Sequence, residues 1–381
     1  MTQTTQKRSN FLHREPFLLA ALLVLIAGFF VFTSFAAKSY RHQEESFGES
    51  WYHQGEQALS QGRASEAVED FRNALAYSRD NDRYRLRLAQ ALIADQRPQE
   101  ARAHLLSLWE REPGDGTVNL ELARLEGRRG ELGQALRYYH GAIYGVWPEE
   151  PSEHRWETRF EVSEFLLGRQ ANAQAQSELL ALAASLPRDD AARQTRLGNL
   201  FLRAGLDGRA LTAFRNALQA QPKLPAALAG AGEAAFHAGD YRTALSYLRR
   251  AAQEDPQNQH ASDLLTTAGL VLELDPFQPR LPAKERARRV VHDFQTALER
   301  LQGCTQKAGS PADPSLASLY QEGTSRKRRV QERVLARDSD ALEGAMEFAF
   351  QMEQAAERHC GAATGEDLAL LLIARKREAE R

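Results

Sequence analysis

An all-α chain built mostly of stacked helical hairpins is predicted from three observations. One pattern recurs six times at a period of about 34 residues, an uncharged apolar run precedes it, and non-repeating segments with helical spacing follow it. In each repeat a small residue (Ala67, Ala101, Ala135, Ala175, Ala210, Ala244) is followed four positions later by a bulky apolar one (Phe71, Leu105, Tyr139, Leu179, Phe214, Leu248). Residues four apart share one helix face, so each pair marks a helix that packs closely on a neighbour. With 381 residues, 26% charged and 43% hydrophobic, the chain has room for two or three domains and the composition of a folded protein. A net charge of -2 argues against a dedicated nucleic-acid binder, which carries a clear basic excess.

The apolar run comes first. Phe17 to Ala37 is 21 residues without a charge, a helix of roughly 31 Å and about the thickness of a bilayer core. A transmembrane helix is therefore expected at 17–37, after an N-terminus at 1–16 and before a linker at 38–47. Lys7, Arg8 and Arg14 precede the run against Glu15, whereas Lys38 and Arg41 after it are soon balanced by Glu44, Glu45 and Glu49. The positive-inside tendency then places the N-terminus in the cytoplasm and the rest outside a cytoplasmic (inner) membrane, in the periplasm of a bacterium. A cleaved signal peptide is the alternative, since Ser34, Phe35 and Ala36 offer a small-x-small site, although the run exceeds the usual signal core. Either reading exports the repeats, and the run carries no GxxxG dimerisation motif.

The repeats resemble the tetratricopeptide family. The fifth is fullest, with Leu197, Gly198, Phe201, Gly205, Ala210, Phe214, Ala217 and Pro222 at the family's offsets; the sixth gives Gly232, Ala235, Gly239, Ala244, Leu248, Ala251 and Pro256. The first supplies Trp51, Gly55, Gly62, Ala67, Phe71 and Ala74, and the second ends on Pro113. The resemblance implies a right-handed solenoid of about six hairpins over 48–274, closed by a capping helix near Gln259 to Glu273. Small residues such as Gly55, Gly198 and Gly232 let paired helices approach, while Gly62, Gly130, Gly205 and Gly239 supply the positive φ that ends each first helix. The fourth repeat departs from the pattern. An insertion containing Trp147, Pro148, Pro151 and Trp156 lengthens the interval between Ala135 and Ala175, and Ser163 and Gln170 stand where glycine is expected. A bend, a partner-binding bulge and drift are all compatible with it.

In such arrays the first helix of each hairpin lines a concave surface. The resemblance places one row at Tyr52, Leu86, Leu120, Phe160, Thr195 and Ala229, a polar row at Glu56, Gln90, Arg124, Glu164, Asn199 and Glu233, and a third from Leu59 to Phe236. An extended peptide or amphipathic helix laid across them by its apolar side chains is one expectation; packing of the third row inside each hairpin is the other. Only Asn199 fits the Lys/Asn pattern that clamps chaperone carboxylates. The apolar tail Asp367 to Ala374 must pack on the last helices or in the groove.

After the array, 275–282 reads as an extended linker and 283–381 as a helical domain, with helices at Ala283 to Gly303, Ser315 to Arg337, Asp340 to Cys360 and Glu366 to Glu380. If the first three form an up-down-up bundle, Cys304 and Cys360 meet at one end and can form a disulfide, which persists only outside the reducing cytoplasm; two unpaired thiols are the alternative. The basic run Arg326 to Arg329, flanked by Glu322 and Glu332, reads as a solvated face. His359 beside Cys360 is no ligand set for a metal, and no catalytic constellation, cofactor motif or phosphate loop is visible. The expected function is a membrane-anchored, non-catalytic adaptor for exported proteins. Alternatives are an activity in the C-terminal domain that the repeats supply with substrate, and a tethered scaffold facing the cytoplasm.

Overall fold

The backbone of the computed structural model is described for residues 15–307 and 314–380, and its named elements are all helices. Lys7, Arg8 and Arg14, on which the orientation expectation rests, lie outside the described residues. The chain divides into two compact units, Met1–Thr158 and Arg159–Arg381.

The first unit holds three hairpins: α1 (Glu15–Ser60) with α2 (Ala64–Tyr77), α3 (Asp82–Ala94) with α4 (Pro98–Arg111), and α5 (Gly116–Arg129) with α6 (Leu132–Tyr144). Helix α1 has 46 residues. It runs unbroken through 38–47, where the sequence suggests a linker, and its last turns are the first helix of the first hairpin. No Pro or Gly interrupts Ala36 to Phe47, so nothing there forces the helix to stop. Among the described residues no helix is long and apolar enough to cross a membrane. The described side chains of the apolar run are those of 20–35, and residues 17–19, 36 and 37 lie outside them. Within that stretch Leu22 to Ile26 and Phe29 to Phe32 are exposed, as is Phe35.

The insertion after α6 folds back on its own unit. Val146 N–H donates to Gly114 O at 2.8 Å, and Gly116 N–H donates to Val146 O at 3.0 Å. Trp147 is thereby buried; its Nε1 donates to Ala142 O at 2.9 Å and its ring stacks on His154 at 4.2 Å. A side chain at Gly116 would collide with the Trp147 ring, so the insertion replaces a hairpin contact with an aromatic plug. Trp156 is half-buried.

Helix α7 (Pro151–Gly168) contains the unit boundary. The second unit continues with α8 (Asn172–Ser185), α9 (Ala191–Arg203) with α10 (Asp207–Ala220), α11 (Pro225–His237) with α12 (Tyr241–Glu254), and α13 (Gln259–Leu274). Asp190, Asp240 and Asn258 cap α9, α12 and α13 by accepting from the backbone N–H three residues on. The corner between paired helices repeats one device. Gly205 N–H donates to Leu202 O at 3.0 Å, and Leu206 N–H donates to Phe201 O at 2.8 Å, with Gly205 at φ 72. The same two bonds recur at Gln96 and Gln170, whose φ values are 60 and 59, so the corner survives where glycine is absent.

Packing within the hairpins is set by close approach. The Phe214 ring is buried between α9 and α11, and a Cβ built on Gly198 would lie 2.7 Å from it; one on Gly230 would collide from the other side.

The C-terminal helices are α14 (Ala283–Lys307), α15 (Pro314–Lys327), α16 (Glu332–Leu335), α17 (Ser339–Cys360) and α18 (Gly365–Glu380). The continuous helix expected over 315–337 is instead broken after Lys327. The cations Arg326 and Lys327 fill the last turn of α15, where the helix dipole favours them. Arg326 pairs with Glu322 and lies over the Phe348 ring at 4.3 Å. Helices α14 and α17 run parallel, since Phe294–Phe348, Arg300–Glu353 and Cys304–Cys360 meet in the same order along both. The two cysteines are joined, with Cα atoms 5.7 Å apart, a spacing natural to a disulfide. The apolar tail lies in α18, which buries Leu370, Leu371 and Ile373 and packs on α13 and the bundle. The 275–282 linker is two turns rather than extended, pinned by Arg289, which donates to Leu272 O and Asp275 O.

Two substitutions test this packing by urea unfolding followed by circular dichroism. Alanine for glycine in an ordinary helix gains about 1 kcal/mol, but Gly230→Ala is expected to lose about 1–3 kcal/mol by overpacking Phe214, so the sign alone decides. Gln170→Gly relieves a left-handed side chain and is expected to stabilise by about 0.5–1 kcal/mol; a loss would show that the corner is unstrained.

Candidate peptide-binding face

The three rows expected on the first helices fare differently. Tyr52, Phe160 and Thr195 are buried. Tyr52 stacks on Tyr84 at 5.1 Å beneath the Arg83 guanidinium, and the Thr195 hydroxyl donates to Ala191 O at 2.7 Å. These side chains belong to the core, because the row's offset points a large ring at the next helix rather than outward. Leu86, Leu120 and Ala229 are half-buried and remain on the surface. In the third row Gly127 is buried, and Phe236 is half-buried with its ring edge-on to Tyr241 at 5.3 Å.

Most of the polar row is paired with residues of a neighbouring first helix, and Arg124 with a residue of its own. In the first unit Glu56 pairs with Arg87 at 3.0 Å, Gln90 donates to Glu121 at 3.2 Å, and Arg124 pairs with Glu121 at 3.4 Å. In the second unit Glu164 pairs with Arg196 at 2.9 Å, and Glu233 lies 3.3 Å from His260. Arg196 also covers the buried Phe160 ring at 4.3 Å. Asn199 is exposed. Glu56 and Glu164 each accept from an arginine 31 or 32 residues on, and Gln90 donates to Glu121 at a spacing of 31, a sequence signal that a search within single repeats misses. Such half-exposed pairs contribute about 0–1 kcal/mol each, so they set register more than stability. The resulting surface alternates paired polar groups with half-buried Leu86 and Leu120 in one unit, and with Ala229 and Phe236 in the other.

Titratable groups that sequence reading missed lie in the C-terminal helices. Asp293 on α14 is fully buried, and neither carboxylate oxygen has a hydrogen-bond partner. Burial pushes its pKa up to about 8, opposed by Arg289 and reinforced by Glu366 and Asp275. Glu353 on α17 is also fully buried and is raised to about 7 by burial and by Asp367, although it accepts a hydrogen bond from Arg300. Among the described residues no group of three or more His, Cys, Asp or Glu is placed to hold a metal ion. The core of these helices is filled by Phe294, Leu298, Leu301, Met346, Phe348 and Met352.

Residues 58–125 and 195–259 each match a tetratricopeptide-repeat family model, and the chain carries tetratricopeptide repeats in both units. No curated protein matches it in sequence. Among solved structures it is similar to YrrB, a TPR protein with an unusual peptide-binding site, at 16% identity over 51% of this chain and 97% of that one, TM-score 0.40. It is similar to PilF of Pseudomonas aeruginosa at 14% identity over 58% and 97%, TM-score 0.41. The C-terminal part of a TPR repeat-containing protein from Cytophaga hutchinsonii matches at 12% identity over 63% and 94%, TM-score 0.46. The repeats define a class, the protein-interaction scaffolds, whose members bind protein or peptide partners.

The buried carboxyls set a pH dependence. A group whose folded pKa lies above its unfolded value contributes stability that is complete below the unfolded value and is lost as pH rises through the folded one. For Asp293 and Glu353 the window runs from about 4 to about 8. The melting temperature is therefore expected to fall between pH 6 and pH 9. Asp293→Leu should stabilise at pH 8 by roughly 1–3 kcal/mol and flatten the slope; an unchanged slope would assign it to other groups.

Proposed function

We propose that the protein is a single-pass, membrane-anchored adaptor whose tetratricopeptide repeats bind exported or envelope proteins on the outer side of a cytoplasmic membrane. The observation that carries this reading is α1. Its uncharged run from Phe17 to Ala37 exposes the apolar side chains described within it and continues directly into the first hairpin. A chain of exposed Leu, Ile, Val and Phe this long needs an apolar phase around it. The flanking charges favour an inside N-terminus, and the Cys304–Cys360 bond suits an oxidising compartment. Partners would meet the first helices through Leu86, Leu120, Ala229 and Phe236, with Glu56, Gln90, Arg124, Glu164, Asn199 and Glu233 setting polar selectivity. A scaffold needs no catalytic group, and the apolar core of the C-terminal helices suits a structural bundle.

Protease treatment of cells whose outer layer alone has been opened tests the anchor and its orientation. Digestion of the repeats down to a small membrane-bound stub is the expected result. Full protection until the cells are lysed would move the array to the cytoplasmic side. Thiol counting on protein exported by its own cells is expected to find no free thiol before reduction; two free thiols would remove the disulfide from the argument.

A further inference from the structure

In the second unit a cavity of ≈ 230 Å³ opens between the end of α8, α9 and α10. It lies on a different side of α9 from the polar row. Gln194 and Phe201, two turns apart, share the face that lines it, whereas Thr195, Asn199 and Leu202 occupy another. From α10 come Arg209, Thr212 and Asn216, at helical spacing on one face, and the turn after α8 contributes Arg188.

The charges here are one-sided. Nearby Arg193 and Arg196 are paired, with Asp190 and Glu164. The guanidiniums of Arg188 and Arg209 have no hydrogen-bond or ion-pair partner among the described residues, both residues are exposed, and no carboxylate lines the cavity. Asp189 follows Arg188 in the chain but is not part of the lining. The remaining polar groups are already oriented. Asn216 donates to Gln194 Oε1, and Gln194 in turn donates to Pro187 O, which leaves the Asn216 carbonyl oxygen as an acceptor. Thr212 spends its proton on Gly208 O and likewise keeps acceptor capacity.

We propose that this cavity binds an acidic segment of a partner protein. A carboxylate of an extended peptide pairs with Arg188 and Arg209, peptide N–H groups donate to Thr212 and Asn216, and an apolar side chain rests against the half-buried Ala183. Guanidinium forks match a carboxylate's two oxygens. The acceptors beside them call for a ligand that also brings N–H donors and apolar surface; a phosphate or a lipid headgroup phosphate brings neither. The inference rests on the reading of the chain as a protein-binding scaffold, but it assigns a second site, apart from the face made by the polar row.

The test is fluorescence anisotropy on the full chain in detergent, with a short fluorescein-labelled peptide of alternating glutamate and leucine and its glutamine–leucine counterpart. The glutamate peptide should bind, more weakly as salt rises, and the glutamine peptide should not. Arg188→Ala and Arg209→Ala should each weaken binding about tenfold, the worth of one charge-assisted hydrogen bond. Arg188→Lys should fall between Arg188→Ala and the unaltered protein. Both arginines are exposed, so the melting temperature should not move. Failure of the glutamate peptide to bind, or equal binding to all variants, overturns the site. Binding that survives both arginine changes but is lost in Asn199→Ala or Phe236→Ala would keep the scaffold reading and discard this cavity.

Discussion

Close approach between neighbouring helices, made possible by small residues and filled by single large ones, is the constraint on which the rest of the structure depends. Phe214 is the plainest case: its ring occupies the space left by Gly198 on one side and Gly230 on the other. Phe71 against Gly55 and Leu248 against Gly232 repeat the arrangement in other hairpins. No hairpin covers its own apolar faces, so each depends on the next, and dispersion contacts at this distance are lost quickly if the helices separate. The left-handed corner follows from the same constraint, because two helices this close leave room for only a short turn. That is why Gln96 and Gln170 accept a backbone that side chains normally avoid.

Much of this was legible in the chain. The small-then-bulky pairs located the hairpins, and Gly62, Gly130, Gly205 and Gly239 all adopt the positive φ expected of them. Legibility stopped where a residue's meaning depends on a distant one. Tyr52 and Phe160 hold positions that face outward in an idealised repeat, yet Tyr84 and Arg196 cover them. The helix break after Lys327 had no Pro or Gly to announce it. Asp293 looks in sequence like any polar residue on an amphipathic helix, and only the packing of its surroundings buries it.

The C-terminal helices use a different principle from the repeats. Parallel α14 and α17 are fastened near one end by the cysteines and by Arg300 to Glu353, while α18 covers α13, the last helix of the array. An open repeat stack presents an apolar flank at its end, and here the chain's own tail supplies the cover. Asp293, whose carboxylate oxygens have no hydrogen-bond partner, lies in α14, the element that follows that junction.

The unbroken α1 carries a geometric consequence. Within a continuous helix each residue turns the chain by about 100° and advances it by about 1.5 Å. Helix phase therefore passes without loss from the apolar run into the first hairpin, as it would along a keyed shaft. Adding or removing one residue between 38 and 47 would swing the hairpin about a quarter-turn around the helix axis while changing its height very little. Length changes there alter the direction in which the repeats face before they alter their reach.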